Sequence, residues 1–387
     1  MGVLFIMPNW AAPSELWMQR MIEALEPHVV AIATPTPAEA SWRNRVPAVT
    51  LRAGRPHRQV MRCVCRALGM PVRLKPARTA AEILSEAVAS QAVSAVLAHY
   101  LEFALQFEDV WRETSKRLFV HCHGYDVTWD LRKDEKPDEK YFADDYLPRV
   151  LRLSRRAILI ANSQFTAGRL HAAGIPPDRV RVKYLGVPVP EQSPRGSSKT
   201  KAIDILYIGR LVDFKGPDLV IRAFEIACER GLDAHLTMAG DGEMRVTCEL
   251  LKRRSAFGDR IRLLSWVDAR QGEELRAQAD IFTAHNCRGP LSRQEEAFGV
   301  SIVEAMASGL PVITGRSGSV CETVTHGQTG VLVEPGDVEA HAEAFLQLAR
   351  DPELRFQMGQ AGWQRSKLFS LEEEKVALWD ILGLPTA

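Results

Sequence analysis

Residues 294–311 read QEEAFGVSIVEAMASGLP, and the rest of the chain is organised around this stretch. Phe298 and Gly299 supply a tight turn, after which apolar residues recur at the spacing of one helix face. Gly309 and Pro311 end the pattern, since glycine and proline both terminate helices. The stretch therefore predicts a turn, a helix and a stop.

Two carboxylates frame the predicted helix. Glu296 precedes it and Glu304 follows eight residues later, about two helical turns away, so both are expected to face one cleft. The amides of Gly299, Val300 and Ser301 are unpaired donors at the helix N-terminus, which suits a phosphate group. One short element is thus expected to hold a sugar, a phosphate and a ribose together.

Length and composition indicate a soluble globular protein. The chain has 387 residues, which predicts about two or three domains, and 46% of them are apolar against 25% charged. It contains neither an uninterrupted apolar run of about 18 residues nor a signal-cleavage pattern. The seven cysteines are scattered, which favours a reducing compartment, and Cys63 and Cys65 are interpreted as buried helical cysteines instead of metal ligands. We expect a cytoplasmic protein.

The segment between Glu39 and Glu82 contains ten cations and no acid. So many unbalanced cations repel one another unless an anionic partner lies nearby, although a solvated basic face is the alternative. The pattern predicts contact with an anionic membrane surface or a phosphorylated lipid, with the protein peripheral on the inner face of the membrane. Nucleic acid is not favoured, because Trp42 is the segment's one aromatic residue. The residues expected on the acceptor or membrane side are Asp126, Arg55, Arg58 and Arg62.

Strands alternate with helices throughout, which predicts an α/β fold of two doubly wound, Rossmann-like domains. The Pro-, Ser- and Lys-rich residues 187–201 are interpreted as a linker between a domain at 1–186 and a second at 202–368. The strands are expected at 3–7, 29–33, 92–98, 117–121 and 157–161 in the first domain, and at 203–208, 234–239, 260–264, 280–284, 311–314 and 330–333 in the second. The helices of the second domain include one predicted at 273–279.

Two strand ends carry polar groups where such sheets bind ligands. The strand at 117–121 continues into HCHGYD, which brings His121, His123 and Asp126 to a functional position. The first strand of the second domain ends in GRLVDFKG, where Arg210 and Lys215 can clamp a diphosphate and Gly209 permits close backbone approach.

Several nucleotide chemistries are disfavoured. The chain has no Walker motif and no GxGxxG opening a helix, which argues against ATP hydrolysis and dinucleotide redox chemistry. It also lacks a DxD carboxylate pair, so a leaving diphosphate would be neutralised by Arg210, Lys215 and the helix end at Gly299.

These motifs together resemble the family 4 glycosyltransferases, retaining enzymes of GT-B fold. The resemblance rests on GRLVDFKG, AGDGE and EEAFGVSIVEAMASGLPVITGRSG, the last of which is similar to the family's paired-glutamate signature. In the first domain PSE at 13–15, HCHGYD and NSQFT at 162–166 look like the exopolysaccharide branch, of colanic acid and amylovoran type.

The resemblance implies a role for each site residue. Arg210 and Lys215 would hold the donor diphosphate, and Glu304 would accept hydrogen bonds from the ribose. Glu296 and the backbone of Phe298, Gly299 and Val300 would hold the donor sugar, which His123 would contact from the opposite domain. The family transfers with retention and requires neither a metal nor another cofactor, and the last helix, within 369–387, would cross back to the first domain.

The implied function is transfer of a hexose from a UDP-sugar, with a GDP-sugar next, to a saccharide that is lipid-linked, in the synthesis of bacterial exopolysaccharide or lipopolysaccharide. Two alternatives stay open: a nucleotide-sugar 2-epimerase of the same fold, and a non-catalytic sugar-nucleotide binding protein. The chain departs from the family pattern at residues 12–14 (Ala-Pro-Ser), at Ala297, which replaces glycine, and at His285-Asn286.

Overall fold

The computed structural model of the chain describes residues 1–10, 16–36, 45–52, 78–128, 142–193 and 202–385. Within them, the first domain alternates strands, all of which are mostly buried except the two edge strands, with helices that cover the sheet. Its strands are β1 (Val3–Ile6), β2 (Val29–Thr34), β3 (Ala48–Thr50), β4 (Ala95–His99), β5 (Arg117–Cys122), β6 (Ala157–Ala161) and β7 (Val180–Val182). Its helices are α1 (Leu16–Leu25), α2 (Ala80–Ala89), α3 (Leu101–Leu105), α4 (Glu108–Glu113), α5 (Tyr125–Thr128), α6 (Tyr146–Ser154) and α7 (Gln164–Ala172).

The second domain repeats the plan. Its strands are β8 (Ile203–Ile208), β9 (Ala234–Ala239), β10 (Ile261–Leu264), β11 (Ile281–Thr283), β12 (Val312–Gly315) and β13 (Gly330–Val333). Its helices are α8 (Pro217–Glu229), α9 (Arg245–Arg254), α10 (Ala269–Gln278), α11 (Val300–Ala307), α12 (Val320–Thr323), α13 (Val338–Arg350) and α14 (Pro352–Ser366), and α15 (Leu371–Leu382) follows them.

Both sheets are parallel and doubly wound. The described strands of the first lie in the order β3-β2-β1-β4-β5-β6-β7, and those of the second in the order β10-β9-β8-β11-β12-β13. In each sheet the order reverses beside the first strand, and loops diverge at that point to leave a crevice at the carboxyl ends. One crevice lies at the carboxyl ends of β1 and β4 in the first domain, and the other lies at the carboxyl ends of β8 and β11 in the second.

Some elements differ from the sequence expectation. The edge strands β3 and β7 were not expected; each is three residues long, too short to show a clear alternation. Helix α10 begins at Ala269 instead of residue 273, because Asp268 caps it. The Asp268 side chain accepts from the Gln271 amide, and the Gln271 side chain accepts from the Asp268 amide.

The connection between the sheets is packed where it is described. Val187 pairs with Ser370, and the indole of Trp363 donates to the Pro190 carbonyl at 2.9 Å. Residues 187–193 thus lie against the C-terminal helices, although their composition resembles that of a flexible linker. The predicted limits of the linker and of the domains stay predictions.

Helix α15 returns to the first domain. Leu378, Trp379 and Leu382 belong to the first domain's hydrophobic core, and the Trp379 indole donates to the Ala24 carbonyl at 2.8 Å. Beside them the fully buried side chains of Lys183 and Glu374 form an ion pair at 2.5 Å. No helix in the described part of the chain is long and apolar enough to cross a membrane.

Candidate active site

A cleft of about 1650 Å³ lies between the two sheets and is lined by both domains. Nine of the predicted site residues line it: His123, Gly209, Arg210, Lys215, Glu296, Phe298, Gly299, Val300 and Glu304. Arg55, Arg58 and Arg62, like Cys63, Cys65 and residues 12–14, lie outside the described residues.

Glu296 is fixed by two donors at the floor of the cleft. Lys215 Nζ donates to Glu296 Oε2 at 2.5 Å, and Asn286 Nδ2 donates to the same oxygen at 3.0 Å. Thr314 Oγ1 donates to Asn286 Oδ1 at 3.4 Å, which orients the side-chain amide. The loops that follow β8 and β11 thus hold one carboxylate, and Thr314 of β12 supports it through Asn286.

The surroundings keep Glu296 ionised. Burial raises its pKa, but the charges of Lys215 and Arg210 and the hydrogen bonds from Lys215 and Asn286 outweigh burial, and the pKa lies below the ordinary value. Glu296 is therefore a carboxylate at neutral pH, which suits hydrogen-bond acceptance and not general-acid work.

The turn before α11 requires glycine. Gly299 has φ +81° and precedes the first helical residue, Val300. Gly318 (φ +60°) lies directly against this turn, where a Cβ would meet the Glu296 carbonyl at 2.1 Å. Ala297 does not have a positive φ, so an alanine at the position where the family commonly has glycine imposes no backbone strain. The helix start thus presents its amides to the cleft with Glu296 beside them.

The cations predicted to hold the diphosphate emerge from one loop. Arg210 lies over the Phe214 ring at 5.5 Å, and Lys215 ends a short 3₁₀ turn whose following residue is Gly216. Gly240 lets this loop approach β9, because a Cβ there would lie 1.9 Å from the Gly209 carbonyl oxygen. The glycine after β9 therefore sets how closely the loop of Arg210 and Lys215 can approach that strand.

Asp213 anchors the same loop, and sequence reasoning missed it. Its carboxylate accepts from the amides of Leu291 and Ser292 at 2.9 and 2.7 Å and from Ser292 Oγ at 2.7 Å. Burial raises the Asp213 pKa, but the bonds from Ser292, Leu291 and Phe214 outweigh it and lower the pKa. Asp213 therefore ties the Lys215 loop to the segment that precedes Glu296.

Glu304 lies between two arginines that sequence reasoning also missed. Arg20 Nη1 and Nη2 donate to Glu304 Oε1 at 3.1 and 3.2 Å, and Arg276 Nη1 donates to Oε2 at 3.2 Å. Arg20 lies on α1 of the first domain and Arg276 on α10 of the second. No local sequence pattern marks either residue, since they are distant in sequence from Glu304.

His123 faces the second domain from the end of β5. Its Nε2 lies 3.0 Å from His99 Nδ1, and the indole of Trp17 packs on its ring with centroids 4.1 Å apart. His121 is fully buried, so His123 is the histidine of HCHGYD that reaches the cleft. His99, at the end of the neighbouring strand β4, was missed, although its strand-end position is a visible signal.

One predicted residue, Asp126, needs correction. Asp126 does not face an acceptor: it is fully buried and accepts from the amides of Leu101, His123 and Gly124 at 3.0, 2.9 and 2.9 Å. Its role is to brace the loop that carries His123. The Phe298 side chain packs into the first domain's core against Tyr184, with ring centroids 5.9 Å apart, and leaves its backbone to the cleft.

Residues 189–365 match the family model described as glycosyl transferases group 1. The match covers the donor-side residues from Gly209 to Glu304. The GDP-mannose-dependent alpha-(1-6)-phosphatidylinositol monomannoside mannosyltransferase of Mycolicibacterium smegmatis is 28% identical over 257 residues, 65% of this chain and 65% of the relative. The N-acetyl-alpha-D-glucosaminyl L-malate synthase of Bacillus anthracis is 34% identical over 166 residues, 43% of this chain and 40% of the relative. The aligned stretch thus covers less than two thirds of the length of each of these two relatives.

Solved structures match along almost the whole chain. HepE of Anabaena in complex with UDP-glucose aligns with a TM-score of 0.75 at 18% identity, covering 99% of both chains. Sucrose-phosphate synthase from Thermosynechococcus elongatus aligns with a TM-score of 0.74 at 18% identity, covering 99% of this chain and 98% of that one. The chain has the GT-B fold, as the sequence predicted. The second domain is similar to glycosyl transferases group 1, and the exopolysaccharide branch stays a prediction.

Proposed function

We propose that this protein is a retaining, metal-independent glycosyltransferase that transfers a hexose from a nucleotide-diphosphate sugar to a lipid-linked saccharide acceptor. The observation that carries the proposal is the position of Glu296. Its ionised carboxylate lies beside the amides that begin α11, within reach of Lys215, and across the cleft from His123. A hydroxyl-rich sugar joined to a diphosphate matches that combination of acceptor and donors.

The donor diphosphate fits the loop of Arg210 and Lys215 and the amides of Gly299 and Val300. These groups supply two positive charges and a helix N-terminus, which together neutralise a leaving group that carries negative charge. Lys215 donates to the Glu296 carboxylate and also lines the part of the cleft proposed to hold the diphosphate. It would therefore couple the position of the sugar to that of the diphosphate. This cation set supports transfer without a metal.

In the proposed step the acceptor oxygen forms a bond to the anomeric carbon while the bond from that carbon to the diphosphate oxygen breaks. The acceptor proton moves to the departing diphosphate, on the face where that group leaves, so the anomeric configuration is retained. Glu296 accepts hydrogen bonds from the sugar hydroxyls and stays ionised. The neighbouring carboxylate, Glu295, is engaged by Arg169 at 2.6 Å, which makes it a poor nucleophile.

Substrate identity is proposed from the relatives. The mycobacterial relative is GDP-mannose-dependent and acts on a phosphatidylinositol mannoside, and a neighbouring structure holds UDP-glucose. A lipid-linked anionic acceptor agrees with the basic segment at 43–78, which would bring the enzyme to the inner face of the membrane. We propose a UDP-hexose as the donor, with a GDP-hexose second, in surface polysaccharide synthesis.

The deciding experiment is a thermal-shift panel of UDP-, GDP- and ADP-hexoses, followed by turnover with the stabilising donor and lipid-extract acceptors. We expect one base to raise the thermal midpoint and the product to retain the donor's anomeric configuration by ¹H NMR. Turnover of the donor without acceptor to its 2-epimer would replace the proposal with an epimerase. Stabilisation by none of the donors would refute a sugar-nucleotide site altogether.

Membrane contact has a separate test. Liposomes containing anionic lipid should retain the wild-type protein and release the triple variant R55Q/R58Q/R62Q, while soluble-donor binding is unaffected. Equal retention of both proteins would exclude this segment as the contact.

A further inference from the structure

Two buried histidines, His285 and His341, link the end of β11 to helix α13. His285 follows β11 and His341 lies on α13, and neither side chain is exposed. His285 is also one of the positions at which the chain departs from the family pattern. The Nδ1 atoms of the two rings lie 2.8 Å apart, so the strand end and the helix are joined by a direct contact.

The two imidazoles meet edge to edge. Their planes are inclined by 18° and their centroids lie 5.0 Å apart, although the two Nδ1 atoms are separated by only 2.8 Å. Rings stacked face to face keep their atoms about 3.5 Å or more apart, the distance of optimal van der Waals contact. The short separation between two nitrogens is therefore a hydrogen bond.

Each of the four ring nitrogens has a hydrogen-bond partner. The Gly336 amide lies 2.8 Å from His285 Nε2, and Thr283 Oγ1 lies 2.8 Å from His341 Nε2. Burial lowers the pKa of His285 to about 4 against the opposing charge of Asp337, and burial together with His285 lowers the pKa of His341 well below its ordinary value. Both rings are therefore neutral, so each has one donor nitrogen and one acceptor nitrogen.

The Gly336 amide fixes the direction of this histidine network, which runs from that amide through the two rings to the Thr283 hydroxyl. A backbone N–H only donates, so His285 Nε2 accepts and the His285 proton lies on Nδ1. His285 Nδ1–H then donates to His341 Nδ1, which leaves the His341 proton on Nε2, where it donates to Thr283 Oγ1. The reverse direction would require His285 to accept at both nitrogens, which a neutral imidazole cannot do.

The strand end that the network holds carries both donors to Glu296. The His285 amide donates to the Lys215 carbonyl at 3.1 Å, and Asn286 follows His285 directly. Lys215 Nζ and Asn286 Nδ2 both donate to Glu296 Oε2. Gly216 packs against the same backbone, because a Cβ there would lie 2.4 Å from the His285 carbonyl oxygen. A shift of His285 would therefore displace both donors.

We propose that His285 and His341 are positioning residues whose hydrogen bonds hold the two donors of Glu296 in place. Neither ring lines the cleft, so both act through Lys215 and Asn286 and make no contact with the substrate. The inference rests on the proposed function for the role of Glu296 in holding the donor sugar, but not for the proton arrangement. Because the network sets geometry and adds no contact to the donor, its loss should lower kcat more than it weakens donor binding.

The first test measures the proton arrangement in the ligand-free, ¹⁵N-histidine-labelled full chain by long-range ¹H–¹⁵N correlation spectra. The signals of the two rings are assigned through H285N and H341N. We expect the Nδ1–H form of His285 and the Nε2–H form of His341. The opposite tautomer of either ring, or a charged ring at neutral pH, would overturn the network. These spectra need no substrate, so failure of the transfer reaction leaves them interpretable.

The second test compares H341N with H341F. Asparagine keeps an oxygen acceptor near the position of His341 Nδ1, whereas phenylalanine offers none to the His285 proton. At a temperature where circular dichroism shows both variants folded, kcat of H341F should be about tenfold below that of H341N, the effect of one hydrogen bond. The matched control is H326F, since His326 also accepts from a backbone amide, that of Leu332 at 3.0 Å, but does not line the cleft. Its kcat should equal that of the wild type.

Two further variants keep the proposal testable if H341F does not fold. T283V conserves volume and removes the acceptor of His341, so it should lower kcat while both tautomers persist, because the Gly336 amide sets them. H341N should lower kcat less in an N286A background than in the wild type, because one of the positioned donors is already missing. Equal kcat values for H341N and H341F, loss of stability in T283V without a change in kcat, or strictly additive effects with N286A would reduce the pair to a structural role and overturn the proposal.

Discussion

Arg20 in the first domain donates from Nη1 to Glu304 Oε1 in the second at 3.1 Å, across the cleft between the two sheets. Both side chains are 18% exposed, so water screens the pair only partly. Arg276 contacts the other oxygen of the same carboxylate. The residue predicted to hold the ribose is therefore also a point of contact between the domains.

Replacing Arg20 tests this contact. In R20Q, Glu304 loses the arginine that orients it from the first domain, and we expect the donor KM to rise about three- to tenfold. Thermal stability should change little, because partly exposed pairs contribute about 1 kcal/mol or less. Steady-state kinetics and thermal unfolding supply the two readouts. R230Q, which removes two exposed ion pairs outside the cleft, is the control, and an unaltered donor KM in R20Q would disprove the coupling.

The Lys215–Glu296 pair supports a double-mutant cycle. K215M removes the ion-pair partner of a largely buried carboxylate and leaves it only the Asn286 hydrogen bond and the more distant Arg210 charge, so it should destabilise the protein by about 1 to 3 kcal/mol. E296Q alone should lower kcat at least about 100-fold, by removing the charged acceptor for the sugar. In K215M/E296Q the stability should partly recover, because no charge is left unpaired, while activity stays lost. Urea unfolding and initial rates measure the cycle; strictly additive losses of stability would contradict the pairing.

Gly240 offers a steric test of the loop that holds the phosphate cations. A methyl group there would lie 1.9 Å from the Gly209 carbonyl oxygen, so G240A must displace the end of β8. We expect donor binding to be lost and the thermal midpoint to fall. G231A is matched, since Gly231 also has positive φ (+91°) but nothing within 4 Å of the added Cβ. If both variants behave alike, backbone strain alone explains the effect and the loop contact is unimportant.

Buried neutral histidines predict acid sensitivity. Burial lowers the pKa of five histidines, to about 4 for His285. The five are His99, His121, His123, His285 and His341. Below pH 6.5 the unfolded chain binds protons that the folded chain does not, so stability falls as the pH falls, by about 1.4 kcal/mol per histidine per pH unit.

Thermal midpoints measured between pH 7.5 and 5.5 check this dependence. H121F should flatten the decline by removing one buried histidine, whereas H235Q, at an exposed position, should not. A midpoint that stays constant or rises towards pH 5.5 would show that these rings are charged in the folded protein.

Much of the donor-binding half of the cleft can be predicted from the sequence, because the residue patterns that mark it are local. The turn at Gly299, the helix that follows and the cations of GRLVDFKG occupy short stretches in which backbone conformation follows directly from residue type. Asp126 shows the limit of that reading. Its position in HCHGYD suggested a site residue, but only the fold revealed that three backbone amides use its carboxylate.

By itself the sequence determined the two doubly wound sheets and several donor-side residues of the cleft, among them Arg210, Lys215 and Glu296, because strand and helix periodicity and strand-end position depend on neighbouring residues. Only the tertiary structure decided that Arg20 meets Glu304, that Asn286 and Lys215 share Glu296, and that His99 contacts His123. These contacts join positions between 10 and 284 residues apart. Packing between elements creates them, and no spacing along the chain encodes it.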